Sequence, residues 1–251
     1  MFISLSGSKV GYACGIKNSM NNYFGKTQTH FFDWLICSMK SVNEILEEKP
    51  ILFDSNYIYP NLENTTTINF SEFDLLISYH DIIEPTKKNL NEMNEKYIRR
   101  YARLINTIKT EKKIFFLRYC CDQYNFDEEQ IHKFYNNINK INNSLEFYFV
   151  LITINNKINI PSSLLFRRHF LYINLNKKND DDDQQLNFMQ IVQMYTHIFK
   201  IIDKLQSVSE ESRQIQQNQI DHEIIQPKNN IIKKKKLILQ KIAKFKQHNE
   251  K

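Results

Sequence analysis

The sequence predicts an α/β protein of three layers, with a largely parallel central sheet and a basic tail at the carboxyl end. Three observations lead there. Short apolar runs that read as buried strands alternate with longer amphipathic stretches that read as helices. Hydrophobic residues make up 41% of 251 residues, enough for one large core. Only four glycines and five prolines occur, which excludes collagen-like and Gly/Ser-linker architectures.

The elements follow in order. Phe2 to Leu5 reads as a buried strand, and Ser6-Gly7-Ser8-Lys9-Val10-Gly11 as a small-residue turn into a helix over Tyr12 to Met20. That geometry points backbone N–H groups and a helix N-terminus at a ligand, although no Gly-x-Gly-x-x-Gly or Gly-Lys-Ser/Thr is present. Asn21 to Thr29 is a polar loop, followed by the block His30-Phe31-Phe32-Asp33-Trp34-Leu35 and a helix near Ser41 to Glu48 closed by Pro50. Ile51 to Phe53 and Thr66 to Ile68 read as short strands. Phe73 to Tyr79 reads as a strand delivering His80-Asp81 at its carboxyl end, where α/β folds place ligand-contacting residues.

Pro85-Thr86 starts a long helix to Lys109, with Leu90, Met93, Tyr97, Tyr101, Leu104 and Ile108 on one stripe. Ile114 to Leu117 is a strand ending in Arg118-Tyr119. Asn125 and Glu128 form a capping pattern for a helix to Ile141. Leu145 to Ile154 and Leu164 to Leu175 read as strands, and Leu186 to Leu205 as the last helix of the body. The expected organisation is an α/β domain at 1–206, a polar linker at 207–230 and a basic tail, helical in spacing, at 231–251.

The net charge of +6 is unevenly spread. Residues 228–251 carry nine lysines against Glu250 and so hold +8, leaving the rest of the chain at −2. The body is therefore not a basic nucleic-acid-binding domain, and affinity for an anionic surface, lipid or nucleic acid, is expected of the tail alone. No apolar run approaches the ~20 residues that span a membrane. The amino end lacks a basic start and an export-length apolar stretch, so an intracellular, cytoplasmic protein is expected, with Cys14, Cys37, Cys120 and Cys121 as reduced thiols. Their spacing fits no zinc site, and Asp180 to Asp183 lacks a surrounding EF-hand loop. No metal and no cofactor is expected.

The block around Asp33 is the sharpest local signal. Three aromatics, including the only tryptophan, flank one carboxylate, and burying a lone carboxylate costs several kcal/mol unless it is paired. The expected partners are His80 and the arginines Arg99, Arg100, Arg103 and Arg118, which could equally hold a phosphate or carboxylate of a ligand. Cys14, just past the first turn, offers a thiol that a helix N-terminus could activate, with His80 as base and Asp81 or Asp33 as orienter.

Ile3-Ser4-Leu5, Phe31-Phe32-Asp33-Trp34-Leu35, Tyr79-His80-Asp81, Tyr97-Ile98-Arg99-Arg100-Tyr101-Ala102-Arg103 and Lys113 to Tyr119 recur in this order in one family. Over about residues 2–120 the chain resembles the putative papain-like cysteine peptidase family, a domain of bacteria and of large DNA viruses of eukaryotes. The resemblance implies a thiol-dependent hydrolase or acyl transferase, in the host cytoplasm if viral, with His80-Asp81 and Asp33-Trp34 matching the family's His-Asp and Phe-Asp-Trp. The family's first strand typically runs Ser-Leu-Gly-x-x-Cys. Here Lys9 stands where that cysteine falls, and Cys14 lies five residues further on. Two alternatives stand beside it: a non-catalytic or transferase-like domain binding a phosphorylated or glycan ligand through Ser6, Gly7, Ser8, Lys9, Trp34 and the arginines, and a virus-type interaction protein with a polyanion-binding tail.

Overall fold

Eight strands form one sheet in the order β3-β4-β5-β2-β1-β6-β7-β8. The computed structural model describes residues 1–7, 12–47, 58–61, 64–70, 73–78, 86–154, 157–175 and 188–206. Strands β1 (Phe2–Gly7), β2 (Leu35–Cys37), β6 (Lys113–Tyr119), β7 (Glu146–Ile154) and β8 (Phe170–Leu175) run parallel. Strands β3 (Ile58–Asn61), β4 (Asn64–Phe70) and β5 (Leu76–Ser78) extend the β2 edge through antiparallel pairings.

Alternation along β6 shows why both faces need covering. Ile114 and Phe116 join one core with Phe31, Val42, Tyr97 and Phe134. Phe115 and Leu117 join the other with Ile16, Tyr195, Phe199 and Ile202. The first core is covered by α2 (Met39–Glu47), α3 (Lys87–Thr110) and α4 (Glu128–Ile141), and the second by α1 (Tyr12–Phe24) and α6 (Phe188–Gln206). A further single helical turn, α5 (Ser162–Leu165), precedes β8. Each fully buried Phe or Ile contributes on the order of 1.5–3 kcal/mol. The result is the three-layer α/β arrangement expected from the alternating pattern.

From β1 the chain moves outward to β2, and from β6 it moves outward in the opposite direction to β7 and β8. The carboxyl ends of β1 and β6 therefore flank a topological switch point, the position where open α/β sheets form their ligand crevice.

Several local expectations change. Asp127, not Asn125, caps α4, accepting a hydrogen bond from the Gln130 amide at 3.0 Å. Asn125 instead closes a 3₁₀ turn (Gln123–Asn125) capped by Asp122. In the stretch 164–175 only Phe170–Leu175 is a strand, because α5 and a turn take up the residues before it. Leu35–Cys37, read as the lead-in to a helix, pairs in the sheet as β2.

Strand β5 is antiparallel to β2, with Ser78 opposite Leu35 and Leu76 opposite Cys37. Its carboxyl end therefore meets the amino end of β2, not the carboxyl edge shared by the parallel strands. The residues this strand is expected to deliver, His80 and Asp81, follow it beyond the described part of the strand. Ser8, Lys9, His80, Asp81, Ile51 to Phe53, Asp180 to Asp183, the linker and the tail lie outside the described residues. Among the described residues, no helix is long and apolar enough to cross a membrane.

Candidate functional site

Asp33 is fully buried, as its aromatic neighbours demand, and its partner is Lys17. Lys17 Nζ lies 2.9 Å from Asp33 Oδ2, with the two side chains 1% and 0% exposed. The same oxygen accepts the His30 amide at 2.8 Å. Lys17 also donates to Thr27 Oγ1 at 2.9 Å and to the Gln28 carbonyl. Burial is the largest influence on Asp33 and raises its pKa, while Lys17, the His30 amide and the charge of Arg100 oppose it.

The arginines expected as partners make their contacts elsewhere. Arg103 donates to the Thr29 carbonyl, and Arg100 stacks over the Tyr97 ring at 5.2 Å. Arg99 makes an exposed helical pair with Glu95 at 3.6 Å. His30 Nε2 lies 3.3 Å from Thr107 Oγ1, so loop 27–34 is pinned to α3. Phe31 and Phe32 are core residues. Trp34 is half-buried, and its φ of 74° places a bulky side chain in the left-handed region. Sequence reasoning missed Lys17, because nothing in its spacing on α1 turns it inward.

The carboxyl edge is built differently. Ser6 has φ 56°, and the β1–β6 register shifts between Ser4 and Gly7. Ser4 Oγ takes the Ser6 amide at 3.0 Å, and the Ser6 hydroxyl bonds the Leu35 carbonyl. Ser6 thus ties β1 to β2. Gly7 packs so closely that a Cβ there would lie 2.7 Å from the Tyr119 carbonyl oxygen.

Arg118 reaches from β6 across β1 to β2. Its Nη1 donates to the Leu5 carbonyl at 3.0 Å and meets Cys37 Sγ at 3.3 Å, and its Nη2 donates to the Cys37 carbonyl at 2.6 Å. The residue is 2% exposed, and no carboxylate among the described residues pairs with it. It lines a cleft of about 890 Å³ together with Ser38 and Lys40 after β2, Asp74 before β5, and Tyr124, Glu129 and His132 around the start of α4. That volume suits a small molecule.

No disulfide joins the four cysteines. Cys37 is buried, which raises its thiol pKa against the opposing pull of Arg118, and its S–H donates to the Leu5 carbonyl at 3.2 Å. Burial pushes Cys120 up to about 11. Cys121 donates to Asp122 Oδ2 at 3.2 Å and accepts from Asn125 Nδ2 at 3.1 Å. Cys14, in the first turn of α1, is 7% exposed. Its neighbour Gly15 meets α6 so tightly that a Cβ would fall 2.8 Å from Ile191 Cγ2.

Compared with protein families, residues 2–157 match the model described as putative papain-like cysteine peptidase. The chain belongs to this family. The match extends beyond the motifs that suggested it, through α4 and all of β7. It thus takes in every residue lining the Arg118 cleft. Comparison with curated proteins and with solved structures gives no match. The described fold of this peptidase-family member is a largely parallel sheet between two helical layers, whereas papain-like folds join a helical part to an antiparallel sheet.

Proposed function

We propose that the protein binds a small ligand bearing a phosphate or carboxylate in the cleft at the carboxyl edge, with Arg118 as the counter-charge. One observation carries this: a buried guanidinium without a carboxylate partner among the described residues stands at the wall of a cleft at the switch point. An unpaired buried charge costs several kcal/mol, and two carbonyls and a thiol offset only part of it. Described residues engage three of the five N–H donors of the fork, and Nε–H and one Nη2–H are the donors offered to an anion.

Calorimetric titration with inorganic phosphate and acetate tests the reading. Arg118→Gln is expected to weaken the better ligand by tenfold or more. Because that variant also releases Leu5 and Cys37, Lys40→Ala is measured beside it. Lys40 is exposed on the cleft wall, and its loss should weaken binding severalfold with the melting temperature unchanged. Unchanged affinity in both variants overturns the reading.

The family description favours a second reading, a thiol-dependent hydrolase or acyl transferase. Cys14 would be the nucleophile, His80 the base, and Asp81 the orienter. Support comes from the position of Cys14 in the first helical turn after β1. Asp33, engaged by Lys17, serves that reading only by holding loop 27–34. Labelling by a thiol-reactive probe is expected to fall in Cys14→Ser and in His80→Ala, and equal labelling of all three proteins sinks it.

A further inference from the structure

The walls of the Arg118 cleft carry more negative than positive charge. Asp74, Asp127, Glu128 and Glu129 face two cations, Lys40 and Arg118. His132 is itself engaged, with Arg167 Nη1 donating to its Nδ1 at 2.7 Å. A ligand that were only an anion would meet its counter-charge at Arg118 and net repulsion around it. The acids divide into two kinds. Asp127 is spent on the α4 cap, and Glu128 takes the Ser163 hydroxyl and faces His132 Nε2 at 3.4 Å. Asp74 and Glu129 are exposed, with no hydrogen-bond or ion-pair partner among the described residues.

Tyr124 lines the same cleft and is 96% exposed. Its backbone is held firmly. Asp122 Oδ1 takes the Asn125 amide at 3.0 Å and Asn125 Nδ2 at 2.7 Å, and Gln123 Oε1 takes the Asn159 amide at 2.7 Å. A pinned turn that holds an exposed aromatic ring in a cleft lined also by two exposed carboxylates suits a cation.

We infer that the ligand is a zwitterion, with its phosphate or carboxylate on Arg118 and an ammonium group at the rim among Asp74, Glu129 and the Tyr124 ring. This rests on the anion reading above and names the class of molecule that satisfies both ends of the cleft. The shared chemistry is an anion joined to an amine by a spacer. Its sources are amino-acid-like carboxylates and aminoalkyl phosphates.

The test is calorimetric, on the full chain. The probes are ω-amino carboxylates of increasing length and aminoalkyl phosphates, each paired with the same molecule lacking the amine. The expected result is a best spacer length at which the amine strengthens binding at least tenfold, with the better arm identifying the anion. In Asp74→Asn/Glu129→Gln that advantage should shrink to under twofold, while the amine-free anion binds as well as before or better, because repulsion is relieved. Both positions are exposed, so folding is not at risk. Tyr124→Ala should lose severalfold for the amine-bearing probe only. Equal binding of paired probes by the wild-type chain, or an advantage that survives the double variant, overturns the zwitterion. If Arg118→Gln leaves amine-free anions bound as before, the underlying anion reading fails instead.

Discussion

At the scale of single residues, the Lys17–Asp33 pair explains how an acid survives among Phe31, Phe32 and Trp34. The pair is buried, so its own attraction does little more than offset desolvation, but removing one partner leaves the other stranded. Lys17→Met is therefore expected to cost about 3–5 kcal/mol of stability in urea unfolding, and adding Asp33→Asn should restore much of it. A loss below about 1 kcal/mol would mean that water reaches the pair.

His30 makes a second prediction. Burial first, then the charges of Lys17 and Arg103, lower its pKa from 6.5 to about 4. The folded state thus holds its proton less tightly than the unfolded state. The stability that follows is complete above pH 6.5 and is lost as pH falls through the window down to about 4. The span amounts to roughly 3 kcal/mol. His30→Gln should flatten the stability–pH profile across that window, and an unchanged slope would place the acid sensitivity elsewhere. That Asp33 needed a partner was legible in the sequence, since the block concentrates aromatics around one charge. Which partner was not, because Lys17 lies between Ile16 and Asn18 on a helix whose burial is set by α6, far along the chain.

At the scale of elements, close approaches govern how the layers meet. Gly15 lets α1 sit against α6, with Ile191 and Tyr195 where a side chain would be. Gly15→Ala is expected to lower stability by about 1–3 kcal/mol through overpacking, against the usual gain from Ala in a helix. A rise in melting temperature would show that α6 moves freely. The strands and helices of the described body were largely legible from periodicity, because both sheet faces are buried and the strands read as unbroken apolar runs. Strand direction was not. A run such as Leu76-Ile77-Ser78 reads identically either way, and only its pairing with β2 shows that it turns its carboxyl end from the edge where the cleft lies.

At the scale of the molecule, the sheet order brings together residues that the sequence keeps apart. Arg118 was visible as a charge at a strand end. That it crosses β1 to hold Cys37, and that Lys40, Asp74 and Tyr124 converge around it, depends on β2 and β6 flanking β1. The body carries a net charge of −2 and the tail +8, so attraction to anionic surfaces belongs to the tail. Binding to vesicles rich in anionic lipid is expected to weaken with salt and to vanish on removal of residues 228–251, with ligand binding in the cleft unaffected. Retention of vesicle binding by the truncated chain would place a second basic surface on the body.

The measurement that reaches the central claim most directly is nuclear magnetic resonance of the Arg118 guanidinium, assigned by its loss in Arg118→Lys, during titration with a phosphate- or carboxylate-bearing ligand. The account predicts that the Nε–Hε resonance shifts and saturates with the same dissociation constant that calorimetry gives. A resonance that stays in place while the ligand binds would contradict it.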